Sequence, residues 1–307
     1  MKHLFIVNPV AGGADESAEV TCAVRAAFAN RNDAYEVYVT RGPMDAEDKV
    51  RKDAAACDHL RVYACGGDGT FNECVCGAAL LENTAACPFP TGTGNDFCRM
   101  FGEEKDLYRD LGALLDGTEH PIDLINCNGR WSANICSVGI DARIGVGVHT
   151  YSALPLLGGK RAYITSAVVN ILKGINQRMA VQIGDYRAEG DHALLCVCNG
   201  RYYGGGFNPS LSARPDDGVL DIYAAKGVSL FTLARAIGDY AAGRADRHPE
   251  IITHLHGDSV HIEFERESVV NIDGEAQYAK SVDMKLVPGA LRLIVPRGMR
   301  FFDDPAR

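Results

Sequence analysis

The run Gly66-Gly67-Asp68-Gly69-Thr70 is the most unusual local composition in the chain, and it follows a strand-like segment at residues 61–65. Glycines allow a backbone to approach a ligand closely and to adopt positive φ, and exposed N–H groups ahead of a helix suit phosphate oxygens. Because an aspartate beside phosphates would repel them unless a cation lay between, Asp68 predicts Mg²⁺, bound directly or through water. The alternative is a tight turn capped by Thr70, with Glu73 completing a capping box.

Two further turns follow strand-like segments and have a similar composition. In Thr91-Gly92-Thr93-Gly94-Asn95-Asp96 small residues allow close approach, and Asn95 and Asp96 supply polar groups at a predicted helix start. In isolation Asp96 is equally typical of an ordinary N-cap. The run Asn8-Pro9-Val10-Ala11-Gly12-Gly13 is a weaker signal, because a strand followed by Asn-Pro and glycine is a common turn.

Strand-like and helical segments alternate through the first 120 residues, and this alternation determines where the three turns lie. Strand-like segments lie at residues 4–7, 35–39, 61–65 and 87–89, and helical patterns at about 17–29, 46–56, 70–81 and 105–115. Alternation of this kind predicts an α/β domain with a parallel sheet. Ligands bind along the carboxyl ends of the strands in such a sheet, so the three turns predict one phosphate-binding edge.

Short strand-like runs dominate after residue 121 and predict an antiparallel β-sandwich. They lie at residues 121–127, 131–137, 180–183, 192–198, 219–224, 259–264, 269–272, 281–286 and 291–295, with helical inserts near 162–172 and 230–242. We therefore expect two domains, residues 1–122 and 123–290, that join at a short connection.

Charge and cysteine usage limit the partners and the compartment. The net charge of −9 argues against nucleic acid as a partner, although a local basic patch that includes Lys160 and Arg161 stays open. The 11 cysteines are scattered without CxxC spacing, which is typical of small buried hydrophobic residues in a reducing compartment. His254 and His256 have no acidic or cysteine partner nearby in sequence, so no metal role is predicted for them.

The apolar segments are short. The N-terminal run is too short for a signal peptide and no stretch reaches the length of a spanning helix, so a cytoplasmic protein is expected. Residues 150–172 carry apolar side chains before Gly158-Gly159-Lys160-Arg161 and would suit peripheral docking on the inner membrane face if exposed. If buried, they are ordinary core beside a loop.

An ordered set of motifs along nearly the whole chain resembles the catalytic family of diacylglycerol kinases, which includes bacterial lipid kinases and sphingosine kinases. The motifs are Asn8-Pro9, Gly66-Gly67-Asp68-Gly69-Thr70-Phe71-Asn72-Glu73, Pro90-Thr91-Gly92-Thr93-Gly94-Asn95-Asp96-Phe97, Gly139-Ile140-Asp141-Ala142, Gly204-Gly205-Gly206 with Pro209, Asp217-Gly218-Val219-Leu220-Asp221, and Asp273-Gly274-Glu275. The resemblance implies an α/β nucleotide domain like that of NAD kinase and diacylglycerol kinase, a C-terminal β-sandwich, and an active site in the cleft between them. It also suggests that residues from about 290 to 307 return to the first domain.

The resemblance assigns roles residue by residue. Nucleotide contacts are implied for Asn8, Pro9, Val10, Ala11, Gly12, Thr40, Gly66, Gly67, Asp68, Gly69, Thr70, Phe71, Asn72, Thr93 and Asn95. Asp68, Asn95, Asp96 and Asp123 resemble the polar network that organises catalytic Mg²⁺. Glu275 resembles the general base, with Asp273 beside it, although Asp273-Gly274-Glu275 alone is typical of a hairpin turn. Asp217, with the carbonyls of Arg214 and Val219, resembles a separate structural Mg²⁺ site.

The expected activity is transfer of a phosphate from ATP to a lipid hydroxyl, with diacylglycerol ahead of sphingosine-like lipids and a homodimer possible. NAD kinase shares the Gly-Gly-Asp-Gly-Thr turn and the Asn72-Glu73 pair, so it is a second enzyme hypothesis. A catalytically silent nucleotide sensor is a third, and the presence of Asp68, Asp96 and Glu275 argues against it. The identity of the lipid and of the triphosphate stays open at this point.

Overall fold

The computed structural model describes residues 1–13, 15–91, 95–145, 169–171 and 174–303. The chain divides into two compact units, one formed by residues 1–124 with 288–307 and the other by residues 125–287. Two predicted features, Thr93 and most of the stretch 150–172 with Lys160 and Arg161, lie outside the described residues.

The first unit contains a parallel sheet covered by helices. Its strands are β1 (Lys2–Val7), β2 (Ala34–Val39), β3 (Leu60–Gly66) and β4 (Thr84–Pro90). They lie in the order β2, β1, β3, β4 and every neighbouring pair is parallel. The end of β13 (Glu275–Val295) continues this sheet, because Arg292 and Leu293 pair in parallel with Ala85 and Ala86 of β4. The prediction of an α/β first domain is confirmed.

Five helices accompany these strands in the described part of the first unit. They are α1 (Ser17–Ala27), α2 (Asp45–Ala54), α3 (Asp68–Ala78), α4 (Asp96–Arg99) and α5 (Leu111–Leu115), with 3₁₀ helices at Ala11–Gly13 and Gly102–Arg109. The single helix expected at 105–115 is therefore two elements. The break comes at Asp110, whose extended backbone ends the 3₁₀ helix and whose Oδ1 accepts a hydrogen bond from the N–H of Ala113 at 3.0 Å.

The core of the first unit follows from strands that are buried on both faces. In β3 every residue is buried, as is usual for central strands of a parallel sheet covered by helices. The rings of Phe5 and Tyr63 stack between neighbouring strands at 4.4 Å. Helices α2 and α3 approach closely at Gly77, where an added Cβ would lie 2.8 Å from Val50 Cβ, so only glycine fits there.

The second unit is antiparallel and its prediction as a β-sandwich is confirmed. Its strands are β5 (Thr118–Cys127, which begins in the first unit), β6 (Arg130–Ser132), β7 (Ile135–Gly139), β8 (Gln177–Ile183), β9 (Tyr186–Cys198), β10 (Leu220–Lys226), β11 (Ile252–Gly257), β12 (Ser259–Ile272) and most of β13. The helix α6 (Leu230–Tyr240) and a 3₁₀ helix at Ala245–Arg247 interrupt them.

Strand β9 shows how two layers of core are built on one strand. Leu195 and Val197 belong to one cluster of buried hydrophobic side chains in the second unit. Leu194, Cys196 and Cys198 belong to a second cluster, on the other face of the strand. The alternation follows from the two-residue period of a strand. Tyr240 of α6 belongs to the second cluster, so this helix covers that face of the strand.

Several boundaries in the second unit differ from prediction. Strand β11 was not predicted, and the runs at 259–264 and 269–272 form the single strand β12, with an irregularity between Glu263 and Ser268. The run at 131–137 is divided into β6 and β7 by Ala133 and Asn134. Of the helix expected near 162–172, only residues 169–171 are described, and these are helical.

The cysteines are mostly interior, as predicted. Nine of the 11 are buried, Cys57 is partly buried and Cys22 is exposed. No helix in the described ranges is long and apolar enough to span a bilayer.

Candidate active site

The carboxyl ends of β1, β3 and β4 bring the three predicted turns together in the first unit. The side-chain amide of Asn8 donates to Thr70 Oγ1 at 3.1 Å, which joins the first turn to the second. The N–H of Thr91 donates to the carbonyl of Gly66 at 3.2 Å, which joins the second turn to the third. Thr40 follows β2 and its N–H donates to the carbonyl of Val7 at 2.9 Å. The four strand ends therefore meet at one edge.

The carboxylate of Asp68 connects α3 to the start of α4. Its Oδ2 accepts hydrogen bonds from the N–H groups of Asn95 (2.8 Å) and Asp96 (3.0 Å), and its Oδ1 accepts one from Phe97 (3.3 Å). Three backbone donors at a helix start stabilise a carboxylate without a cation. Mg²⁺ is therefore not required to explain an aspartate among these glycines, although the carboxylate oxygens keep the hard donor character that Mg²⁺ requires.

The second turn requires glycine for a different physical reason from the one predicted. Gly66, Gly67 and Gly69 do not have positive φ, so that expectation is wrong. A Cβ on Gly66 would lie 2.3 Å from Thr70 Oγ1, so this glycine is required by packing within the turn. A Cβ on Gly67 would have nothing within 4 Å, which leaves open space beside the backbone that precedes α3. Gly67 is therefore the position at which a ligand could approach this backbone.

The first turn, residues 8–13, is partly exposed and contains two glycines with positive φ. Gly12 has φ 71° and Gly13 has φ 85°, conformations that favour glycine. The N–H of Val10 donates to Asn8 Oδ1 at 3.1 Å, so the side chain of Asn8 holds this turn and contacts Thr70 at the same time. The side chain of Val10 is 82% exposed and contributes little to the fold.

The capping box expected from Thr70 and Glu73 is not formed. The N-cap of α3 is Gly67 and it makes no side-chain capping bond. Glu73 instead accepts hydrogen bonds from the N–H groups of Met44 (2.9 Å) and Ala46 (3.2 Å), where α2 begins. The glutamate thus caps a neighbouring helix, and it fixes α2 against α3.

Asp96 and Asp123 are both carboxylates within the buried part of the first unit. Asp96 is the first residue of α4 and not its N-cap, which is Asn95 with φ 126°. Asp96 Oδ1 lies 3.0 Å from Arg99 Nε, an ion pair that the spacing of three residues at a helix start could have indicated. Asp123 is on β5 and its Oδ1 accepts a hydrogen bond from the N–H of Gly289 at 2.8 Å.

Phe71 and Asn72, which the resemblance placed among the nucleotide contacts, are interior. Phe71 is 4% exposed and its ring centroid lies 4.9 Å from that of Phe97. Asn72 is 1% exposed, and its Oδ1 lies 3.7 Å from Cys76 Sγ. Both side chains are therefore part of the packed interior of the first unit, and their role as nucleotide contacts stays a prediction.

In the second unit, Asp273 and Gly274 form the two-residue turn between β12 and β13. Their φ angles of 50° and 100° are those of a primed hairpin turn. The carboxylate of Asp273 accepts hydrogen bonds from Ser132 Oγ at 2.6 Å and from the N–H groups of residues 133–135 at 2.8–3.2 Å. Asp273 therefore anchors the connection between β6 and β7. Glu275 is exposed at the first position of β13.

The residues of the expected structural Mg²⁺ site lie in one turn of the second unit. Asp217 is exposed, and its Oδ1 accepts a hydrogen bond from the N–H of Val219 at 3.0 Å across Gly218, which has φ 74°. The guanidinium of Arg214 contacts both oxygens of Asp216 at 3.0 and 3.2 Å. A carboxylate and neighbouring main-chain carbonyls are donors that suit a hard cation.

Comparison with known proteins defines the class. Residues 2–127 match the diacylglycerol kinase catalytic domain, and residues 134–295 match the YegS C-terminal NAD kinase beta sandwich-like domain. The two units thus have the architecture of a lipid kinase of the diacylglycerol kinase type.

Curated relatives and a solved structure agree with this class. The chain is similar to "Probable lipid kinase YegS-like" of Stenotrophomonas maltophilia, with 31% identity over 86% of this chain and 87% of the relative. A protein of the same name in Pseudomonas aeruginosa is 29% identical over 92% of this chain and 93% of the relative. A crystal structure of a diacylglycerol kinase from Bacillus anthracis superposes with a TM-score of 0.71 and 26% identity, over 97% of this chain and 98% of that one. The chain belongs to the diacylglycerol kinase family, as its motifs predicted.

Proposed function

We propose that this protein is an ATP- and Mg²⁺-dependent kinase that transfers the γ-phosphate to a lipid hydroxyl, with diacylglycerol as the acceptor and phosphatidic acid as the product. The observation that carries the proposal is the set of hydrogen bonds from residues 95–97 to the carboxylate of Asp68. These bonds join the turns after β3 and β4 into one polar edge. The names of the relatives, which are lipid kinase and diacylglycerol kinase, support a lipid acceptor.

The first unit is proposed to bind the triphosphate. The main chain beside Gly67 and the exposed turn of residues 8–13 offer N–H groups to phosphate oxygens, and Thr40 lies at the same edge. Asp68, Asp96 and Asp123, with Asn95, are the residues proposed to hold the catalytic cation. When bound, Mg²⁺ would neutralise charge on the phosphates.

The second unit is proposed to supply the base. Glu275 is exposed on a strand whose first position is fixed by the hairpin turn, so its carboxylate can accept the proton of an incoming hydroxyl. Asp273 does not have this freedom, because four hydrogen bonds hold its carboxylate. We therefore assign Asp273 a positioning role and Glu275 the catalytic one. Asp217, with the carbonyls of Arg214 and Val219, is proposed to hold a separate structural Mg²⁺.

NAD is the competing acceptor, because the second unit matches a domain described as NAD kinase beta sandwich-like. The two activities are distinguished by their products. Purified protein would be incubated with ATP and Mg²⁺ and either phosphatidylcholine vesicles that contain diacylglycerol or soluble NAD, and the products would be identified by mass spectrometry. Vesicles with sphingosine and reactions with GTP in place of ATP would establish the acceptor and the donor.

Formation of phosphatidic acid that is lost in Glu275→Gln supports the proposal. Formation of NADP without any phospholipid would overturn it in favour of NAD kinase. Saturable binding of ATP with no transfer to any of these acceptors would favour a nucleotide sensor.

A further inference from the structure

Three side chains that commonly bind metals converge at one edge of the second unit, and two of them, His254 and His256, lie outside the motifs described above. Strand β11 ends the sheet order and pairs with β10. In that pairing Asp221 lies directly opposite His256, and Tyr223 lies opposite His254. Because alternate residues of a strand share a face, both histidines lie on the same side as Asp221.

The ligand atoms of these residues are close together. His254 Nε2 lies 2.7 Å from Asp221 Oδ1, and His256 Nε2 lies 3.1 Å from the same oxygen. One donor atom from each of the three residues falls within 4.8 Å of the others. The two histidines have no acidic partner nearby in sequence, but the fold supplies one, because Asp221 lies 33 residues before His254 in the chain.

Neighbouring side chains hold two of the three ligands in place. The ring of Tyr223 stacks on that of His254, with centroids 4.3 Å apart and planes inclined by 7°. The hydroxyl of Ser212 lies 3.5 Å from both oxygens of Asp221. In metal sites, contacts between a ligand side chain and its neighbours orient that ligand and raise the affinity for the metal.

The three side chains also differ in solvent exposure, as expected for a metal site that is open to solvent on one side. The side chain of Asp221 is 6% exposed, whereas those of His254 and His256 are 38% and 61% exposed. A buried carboxylate thus lies beneath two imidazoles that reach the solvent. An ion could enter from the solvent side, and a water molecule could complete its coordination.

We propose that Asp221, His254 and His256 form a binding site for a borderline divalent transition metal, with Zn²⁺ as the representative ion. Two imidazoles and one carboxylate are a donor set that zinc uses in proteins, whereas Mg²⁺ prefers oxygen donors alone. Bonds of about 2.0–2.2 Å in a tetrahedral site would place ligand atoms roughly 3.3 Å apart. The present separations of 2.7 and 3.1 Å between Asp221 Oδ1 and the two imidazole Nε2 atoms would therefore widen by about 0.6 and 0.2 Å.

A metal here would connect the edge strand β11 to β10. Because the native arrangement brings the ligands together and an unfolded chain does not, bound Zn²⁺ is expected to raise the thermal stability of the protein. The donor set differs from that of the proposed Mg²⁺ site at Asp217, whose donors are all oxygens.

The test is a titration of the whole 307-residue chain with Zn²⁺ against a chromophoric chelator, in wild type and in His254→Gln and His256→Gln. One equivalent should bind, and each substitution should weaken the affinity by roughly tenfold or more, because one of three ligands is lost. His261→Gln is the matched control, since His261 also pairs with a carboxylate, that of Asp283 at 2.7 Å. It should leave the affinity unchanged.

Cobalt(II) provides a second readout, because thiolate ligands give an intense near-ultraviolet band that imidazole and carboxylate do not. The exposed Cys22 is the alternative ligand to exclude. The proposal is overturned if wild type shows no saturable binding, if His256→Gln keeps the wild-type affinity, or if the bound ion shows a thiolate band that disappears in Cys22→Ser. His256 is the more exposed of the two histidines, so its substitution should not disturb folding if that of His254 does.

Discussion

Asp68 Oδ2 accepts a hydrogen bond from the backbone N–H of Asn95 at 2.8 Å, across 27 residues of sequence. This bond fixes the end of β3 against the start of α4. The carboxylate of Asp68 therefore contributes both to the local fold and to the proposed cation site. A substitution of Asp68 is expected to change stability as well as activity.

Asp68→Asn is expected to abolish phosphate transfer with a moderate loss of stability, and Asp68→Ala to abolish it with a larger loss. The amide oxygen of asparagine can still accept some of the N–H groups of residues 95–97, whereas alanine leaves all of them without this acceptor, at a cost of about 2 kcal/mol. Urea unfolding and the lipid phosphorylation assay would be measured on the same preparations. Wild-type activity in folded Asp68→Asn would contradict the assignment.

Glu275→Gln is expected to lower kcat by roughly 10²–10⁴-fold, because the amide cannot accept the proton of the lipid hydroxyl. Since Glu275 is exposed, the free energy of unfolding should stay within about 0.5 kcal/mol of wild type. Glu265→Gln, an exposed change on β12, is the control and should affect neither quantity. Equal activity of the two variants would remove Glu275 from the mechanism.

Asp273→Asn should reduce stability and activity together, in contrast to Glu275→Gln. An amide NH₂ in place of one carboxylate oxygen would face the donors of residues 132–135, which costs about 2 kcal/mol or more. Comparing the two variants by thermal unfolding and by kcat separates a positioning residue from a base. Loss of activity at wild-type stability would show that Asp273 has a direct role instead.

The sequence predicts the positions of the turns well because they depend on local signals. The buried strand β3 carries an apolar run at residues 62–65, and the glycines and Asp68 follow where that run ends. The carboxyl ends of parallel strands must lie at one edge, so the meeting of Asn8, Thr70 and Thr91 there could be predicted from the order of elements alone.

Side-chain partners over long sequence separations could not be predicted in this way. The capping-box spacing is a local signal and places Glu73 in its own helix, yet Glu73 caps α2, 29 residues earlier. The sequence places Asp273 beside Glu275, but the carboxylate of Asp273 accepts a hydrogen bond from the backbone of Ile135, 138 residues away. These contacts depend on how helices and strands pack together, and a short stretch of sequence carries no information about that packing.

Substitution of Glu73 by glutamine is expected to destabilise the protein by about 1 kcal/mol, because a charged acceptor at the N-terminus of α2 is replaced by a neutral one. Urea unfolding would measure the change, with the exposed Glu82→Gln as control. Because α3 has no side-chain cap of its own, its start should be unaffected. Slower hydrogen exchange of Met44 and Ala46 in the variant than in wild type would contradict the capping role.

His3 gives the first unit a predictable dependence on pH. It is 2% exposed, its Nδ1 lies 2.9 Å from the hydroxyl of Tyr63, and burial lowers its pKa from 6.5 to about 4. Above pH 6.5 neither the folded nor the unfolded state binds a proton at this ring. As the pH falls below 6.5 the unfolded state gains a proton that the folded state does not accept until about pH 4, so stability is lost over that interval.

The contribution of His3 to this loss is at most about 3.5 kcal/mol, because lowering a pKa by one unit corresponds to about 1.4 kcal/mol. His3→Asn removes the titrating group, so the difference in unfolding free energy between wild type and variant should shrink as the pH is lowered from 7 to 4. Urea unfolding at a series of pH values would follow that difference. A difference independent of pH would show that His3 is protonated equally in both states, and that its burial between Phe28 and Tyr63 does not exclude the charged ring.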